Sequence, residues 1–340
     1  MKKFFYSVIL VLLLLPAIVL ILPLAEHAAR YYYRDITTTG DAGSYFSKNW
    51  LLQEFGRDLV KLNSWRTREG EFEVNKPDGV FRIVVIGDSL TFGQGIAEDD
   101  RFTDLIEERL NKNESMFEVL NLGRMGAQPI HEIRMLKKLT AETTIDFVLL
   151  QWFVNDFEGY DYSHRPDPKN VLPWREYHDR YRRHSVIYFV LNTMWHRFQA
   201  AAGKVETYAD YMVRRFGDSD SQSTKLALND VREFIRHAKS ANVPVAIVLF
   251  PFLMPELADD YSFDFMHEYV LQVCEQETIQ CLDLRDVYRP YAEDVARLHV
   301  NQFDAHPSAF ANKLAAEAIM DAFAAQWIEQ ADAAETVLND

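Results

Sequence analysis

Five short apolar runs recur along the chain, separated by stretches in which apolar residues keep helical spacing. The first comprises Phe81, Ile83, Val84, Val85 and Ile86 and breaks abruptly at Gly87. A β-branched run closed by Gly and Asp predicts a strand over 81–87, buried on both faces of a parallel sheet. Comparable runs predict strands at Phe117–Leu122, Asp146–Trp152, Val243–Phe250 and Ile279–Leu284. Phe102, Leu105, Ile106 and Leu110 predict a helix over about 101–111, and a second follows over 129–140. Helical segments also precede the fourth and fifth strands, and Pro307–Ile328 predicts a closing helix. Strands alternating with helices predict an α/β domain, a parallel sheet covered on both faces, over about 80–330. Residues 331–340 remain as a C-terminal tail.

Two segments fall outside the alternation. Residues 25–79 form a lead-in with turn chemistry at Thr37–Gly40 and Asn75–Gly79. Trp50, Leu51, Leu52 and Trp65 within it need burial against the domain. An insertion over about 158–222 begins with an aromatic, basic portion (Trp174, Tyr177, Tyr181, Arg182, Arg183) and continues with Val186–Phe198 at helical spacing. It reads as helices packed on the sheet and its edge, or as a lid or membrane-surface helix.

At the N-terminus, Met1-Lys2-Lys3 is a cytoplasmic tail before the uncharged run Phe4–Leu24. Its 21 residues suffice for a transmembrane helix, which needs roughly 20. A cleaved signal has a shorter apolar region and a small-x-small site, which Ala25-Glu26-His27-Ala28 imitates poorly. An uncleaved anchor is therefore expected, with Tyr31, Tyr32 and Tyr33 at the interface and the domain outside the cytoplasm, periplasmic or external.

Composition narrows the partners. A net charge of −15 and a pI near 5.1 exclude nucleic acid, which needs a basic face. Cys274 and Cys281 are too few for a zinc site or a disulfide scaffold. They form one bridge in an oxidising compartment or stay as two thiols.

Chemistry gathers at the strand ends. Ser89 stands just past the carboxyl end of the first strand, where open α/β sheets place their ligands. Gly93 and Gly95 keep the following turn free of bulk. Gly217-Asp218-Ser219 repeats the tripeptide with no apolar strand before it, so it reads as a polar turn. Gly126 follows the second strand and Asn155 the third. The N–H groups of Ser89 and Gly126 with the side-chain N–H of Asn155 make a three-donor hole for a tetrahedral oxyanion. Near the C-terminus, Asp304-Ala305-His306-Pro307 forms a loop directly before a helix. His306 is the candidate base for Ser89, with Asp304 fixing its tautomer. His299 is the nearest rival base, without a comparable acid beside it. His-Glu-x-x-His and Gly-x-Ser-x-Gly are both absent.

Gly87-Asp88-Ser89-Leu90, Asn121–Gly126, Asn155-Asp156 and Asp304–His306 together resemble the four blocks of the SGNH (GDSL) hydrolase superfamily. The resemblance spans roughly 80–328, and the lead-in looks like that of membrane-anchored bacterial members. It implies a flavodoxin-like three-layer α/β/α sandwich and a serine esterase with no cofactor and no metal. Catalytic Ser89, His306 and Asp304 and an oxyanion hole of Ser89, Gly126 and Asn155 follow from it. It further implies envelope substrates, O-acyl esters of glycans or lipids. An O-acyltransferase using the same acyl-enzyme, or a tethered glycan-binding protein that has lost turnover, are the alternatives. Two positions depart from the pattern. Phe153 stands where Gly is usual, and Phe303 stands where the acid is usual, three before His306.

Overall fold

The structure, a computed structural model, describes residues 21–32, 61–112, 116–160 and 185–339. The apolar run through residue 20, Tyr33, Trp50 to Leu52 and the aromatic, basic part of the insertion lie outside the described residues. The chain divides into two compact units, one of Met1–Thr37, Gly43–Asp58 and Pro166–Glu206, the other of Thr38–Ala42, Leu59–Arg165 and Thr207–Asp340.

The second unit is built on five parallel strands: β1 (Phe81–Ile86), β2 (Phe117–Asn121), β3 (Phe147–Trp152), β4 (Val245–Leu249) and β5 (Gln280–Asp283). Their spatial order is β2-β1-β3-β4-β5, the flavodoxin-like order. Every residue of β1, β3 and β4 is buried, which is why these runs are continuously apolar. β5 lies at the sheet edge and is partly exposed. The chain moves one way from β1 to β2 and the other way from β2 to β5. Right-handed crossovers then put the intervening helices on opposite faces. The packing agrees: Phe102–Leu110 lies against Ala309–Asn339, whereas Pro129–Glu142, Gln222–Ser240 and Asp264–Glu277 pack on one another. The reversal between β1 and β3 opens a crevice beyond the carboxyl ends of the strands.

The closing helix, Ala309–Asn339, is longer than its predicted end at Ile328. Its apolar face continues, with Trp327 meeting Phe147 edge-on at 5.6 Å and Ala331 buried. Asn312 at its start accepts from the Phe102 N–H (3.1 Å) and donates to Pro307 O (3.0 Å). Part of the lead-in packs on the domain as Trp65 predicts. The Trp65 ring is buried beneath the Lys138 ammonium at 3.6 Å. Arg82, wholly buried, binds the carbonyls of Glu73 (2.8 Å) and Val74 (3.1 Å) and pairs with Glu118.

Within the expected insertion, the helix Tyr208–Phe216 buries Met212 and Phe216 in this unit. Gly217-Asp218-Ser219 follows it on an exposed turn. Cys274 and Cys281 are joined as a disulfide between the helix Asp264–Glu277 and β5.

In the first unit, a helix over 21–32 and the helix Val186–Ala201 are described. The Glu26 carboxylate accepts from Ser185 Oγ (2.9 Å), Val186 N (2.9 Å) and Ile187 N (3.1 Å), satisfying the free N–H groups of that helix start. Among the described residues, no helix is long and apolar enough to cross a membrane.

Candidate active site

β1 ends at Ile86, and the chain turns under Gln151. A Cβ on Gly87 would stand 2.4 Å from Gln151 Oε1, so only glycine lets this turn pass. Gln151 Oε1 accepts from Asp88 N (3.1 Å) and Thr91 Oγ1 (2.9 Å). Asp88 caps the one-turn helix Ser89–Phe92 by accepting from Leu90 N (2.8 Å). Ser89 thus opens a helical turn at the end of a buried strand, with its N–H among those a helix leaves without an internal partner.

Asp304 and His306 arrive from the far end of the sequence. The sequence predicts a loop here; instead Asp304–Pro307 is a short strand, β7, antiparallel to β6 (His299–Asn301). Side chains two apart on a strand point the same way, so acid and imidazole share a face. His306 Nε2 lies 2.8 Å from Ser89 Oγ, and His306 Nδ1 is in close contact with Asp304 Oδ1. The same carboxylate oxygen accepts from the His306 N–H (3.1 Å), and Asp304 Oδ2 accepts from Gln94 Nε2 (3.2 Å). Burial alone would raise the Asp304 carboxyl. The hydrogen bonds and charge of His306, with Gln94, outweigh it and hold Asp304 below its ordinary value. His299, the rival base, is turned elsewhere: its Nε2 contacts Leu253 O at 2.9 Å.

The turn Gly93–Ile96 joins the two halves of this arrangement. Arg68, buried in the lead-in, donates to Gly93 O and Ile96 O at 2.9 Å each. Gly93 and Gly95 take positive φ, +74° and +89°, and a Cβ on Gly95 would stand 2.5 Å from Val300 on β6. The turn is therefore held on one side by the lead-in and on the other by the hairpin that carries His306. Gln94, at its centre, escaped the sequence reading, although it lies within the Ser89 block. An amide that bonds a carboxylate from 210 positions away has no linear signature.

The two other oxyanion candidates stand on the adjoining strand ends. Gly126 (φ +67°) lies on a turn beyond β2, where Arg124 N donates to Gly87 O at 3.1 Å. Asn155 lies on the 3-10 turn Val154–Tyr160 beyond β3, and its Nδ2 donates to Asp88 Oδ2 at 2.8 Å. An amide nitrogen carries two hydrogens, so one fixes the side chain and the other is left for a ligand. Behind it, Asp88, Glu132 and Asp156 are buried together. Burial pushes all three carboxyls up, Asp156 and Asp88 adding to it at Glu132 and Asp88 adding to it at Asp156. This acidic group also went unnoticed in the sequence, because Glu132 reaches it from a helix.

No protein-family model matches the sequence, and no curated protein matches it. Solved structures do. The chain is similar to G-D-S-L lipolytic proteins and esterases. One is a member of the lipolytic protein G-D-S-L family from Veillonella parvula DSM 2008, 13% identical over 72% of this chain and 99% of that one, TM-score 0.46. Another is an acetyl xylan esterase, AlAXEase, 16% identical over 72% of this chain and 100% of that one, TM-score 0.45. A third is the psychrotrophic esterase EstA from Pseudoalteromonas sp., 14% identical over 73% and 98%, TM-score 0.44. The chemistry rests on the side chains described above.

Proposed function

We propose that the chain is a serine-dependent carboxylic ester hydrolase. The observation that carries this reading is the 2.8 Å contact of Ser89 Oγ with His306 Nε2, with Asp304 on the other side of the ring. Ser89 attacks the ester carbonyl as His306 takes its proton. Asp304 holds the imidazole in the tautomer that can accept and then stabilises the imidazolium. The developing oxyanion is met by the N–H groups of Ser89 and Gly126 and by the second N–H of Asn155. As the tetrahedral species collapses, the alcohol leaves with the proton from His306. Water, deprotonated by His306, then releases the acid and restores Ser89.

The substrate class in this reading is an O-acyl ester of a cell-envelope glycan or lipid, met outside the cytoplasmic membrane. The apolar run Phe4–Leu24 serves as the anchor in this reading, and the Cys274–Cys281 disulfide suits an oxidising compartment. Hydrolysis of a short-chain p-nitrophenyl ester by residues 30–340, lost in Ser89→Ala, tests the chemistry. An inert, folded wild-type protein would leave the tethered binding-protein reading instead. Carbonate extraction tests the anchor: intact protein released from membranes by carbonate contradicts a spanning helix.

A further inference from the structure

Both positions at which the chain departs from the SGNH pattern, Phe153 and Phe303, line one cavity. It measures about 170 Å³ and begins at Leu90, next to Ser89, and at His306, with Phe252 and Leu253 also in its wall. Phe153 stacks on Phe252 with centroids 6.0 Å apart and planes 16° from parallel. Tyr208 (5.6 Å) and Phe263 (5.7 Å) back Phe252 in turn, so the wall is supported from behind. Asp304 and His306 are the polar side chains of the lining; they bond each other, and His306 also bonds Ser89. The rest is aromatic or aliphatic.

The sheet order decides which part of an ester this cavity faces. Phe153 follows β3 and Phe252 follows β4, whereas Gly126 follows β2, on the other side of β1. On that β2 side, Met125 is 55% exposed, and a Cβ on Gly126 would meet nothing within 4 Å. The crevice is thus walled and apolar on the β3–β4 side and open on the β2 side. A hydrated alcohol suits the open side, and a hydrocarbon suits the walled one.

Resting on the reading of Ser89 as nucleophile, we infer that the cavity is an acyl pocket for a straight chain of about six carbons beyond the ester carbonyl. A dry cavity of about 150 Å³ lined by Leu, Ile and Phe takes up benzene, so this one accommodates a chain of that carbon count. An acetyl group leaves most of it unfilled, and a dodecanoyl chain overruns it. In the reaction, Ser89 Oγ bonds to the carbonyl carbon and the carbon–oxygen bond to the alcohol breaks. The alcohol departs on the β2 side with the proton from His306, and the chain stays in the pocket until water releases the carboxylate.

A series of p-nitrophenyl esters from acetyl to dodecanoyl tests this, because the leaving group is constant and only the acyl chain changes. Burial of each methylene is worth about fourfold. The expected kcat/KM rises by about 250-fold over the four methylenes from acetyl to hexanoyl and stops rising before dodecanoyl. Phe153→Ala, or Phe303→Ala where the first fails to fold, moves the optimum to longer chains. A flat profile, or a preference for acetyl, overturns the inference while leaving the nucleophile in place. Octanoate binding to Ser89→Ala, followed by NMR line broadening, needs no turnover. Binding there with an inert wild type retains the pocket and removes the nucleophile; absence of binding removes the pocket.

Discussion

Asp304→Asn keeps the shape of the side chain and removes one charge. In the structure that charge faces His306 Nδ1 directly, with Gln94 Nε2 on its other oxygen. In the proposed mechanism the ring becomes an imidazolium beside the carboxylate during attack, a pair of opposite unit charges that the ground state of that mechanism lacks. Two such charges about 4 Å apart interact by about 4 kcal/mol at an effective dielectric near 20. The Asp304 side chain is only 9% exposed, so water screens little of this. At 1.36 kcal/mol per decade, about 4 kcal/mol corresponds to roughly a thousandfold in rate. Since the charge pair exists only as the reaction proceeds, the loss falls on kcat and leaves KM nearly unchanged. Steady-state kinetics on a p-nitrophenyl ester, with circular dichroism as a check on folding, give the answer. A fall in kcat of less than tenfold would refute the assignment of Asp304 as the acid.

Three further outcomes follow from contacts elsewhere in the site and the core. Asn155→Ala removes the proposed oxyanion donor and is expected to lower kcat by about 10²–10³, read from the same kinetics. Glu132 is raised by burial and by Asp156 and Asp88, so the folded state binds its proton more tightly than the unfolded chain. Its contribution to stability is therefore present below the ordinary value of 4.5 and fades as pH rises through the raised folded value. Glu132→Gln should flatten that decline and raise the melting temperature at pH 8 relative to wild type; thermal melts from pH 5 to 8 with identical slopes would contradict it. Reducing Cys274–Cys281, seven residues apart, reopens a short loop in the unfolded chain and should cost about 2–3 kcal/mol, read as a shift of the urea midpoint with and without dithiothreitol.

β1, β3 and β4 were legible because each is buried on both faces and so written as a near-continuous apolar run, whereas the edge strands β2 and β5 carry polar residues among the apolar ones. Ser89 and the candidates Gly126 and Asn155 stood out in the sequence because each follows a strand end. The acid's spacing took the structure to understand. Asp304 sits two before His306, a distance that suits a strand, where alternate side chains share a face, and β7 is a strand. Its short, polar sequence carried no strand signal of its own; pairing with β6 supplies it. Gln94, Arg68 and the Asp88–Glu132–Asp156 group were illegible for a common reason. Their partners are brought to them by the sheet order and helix packing, and neither is encoded in local spacing. Cys274 and Cys281 left both oxidation states open until the end of one helix and the start of β5 were placed side by side.

The most direct test of the account is the site and rate of labelling by a fluorophosphonate, followed by peptide mass mapping. The result predicted is one label per chain, on Ser89, with the rate falling by about 10³ or more in His306→Ala. A label that maps to another serine, or one that reaches Ser89 as quickly without the imidazole, would contradict it.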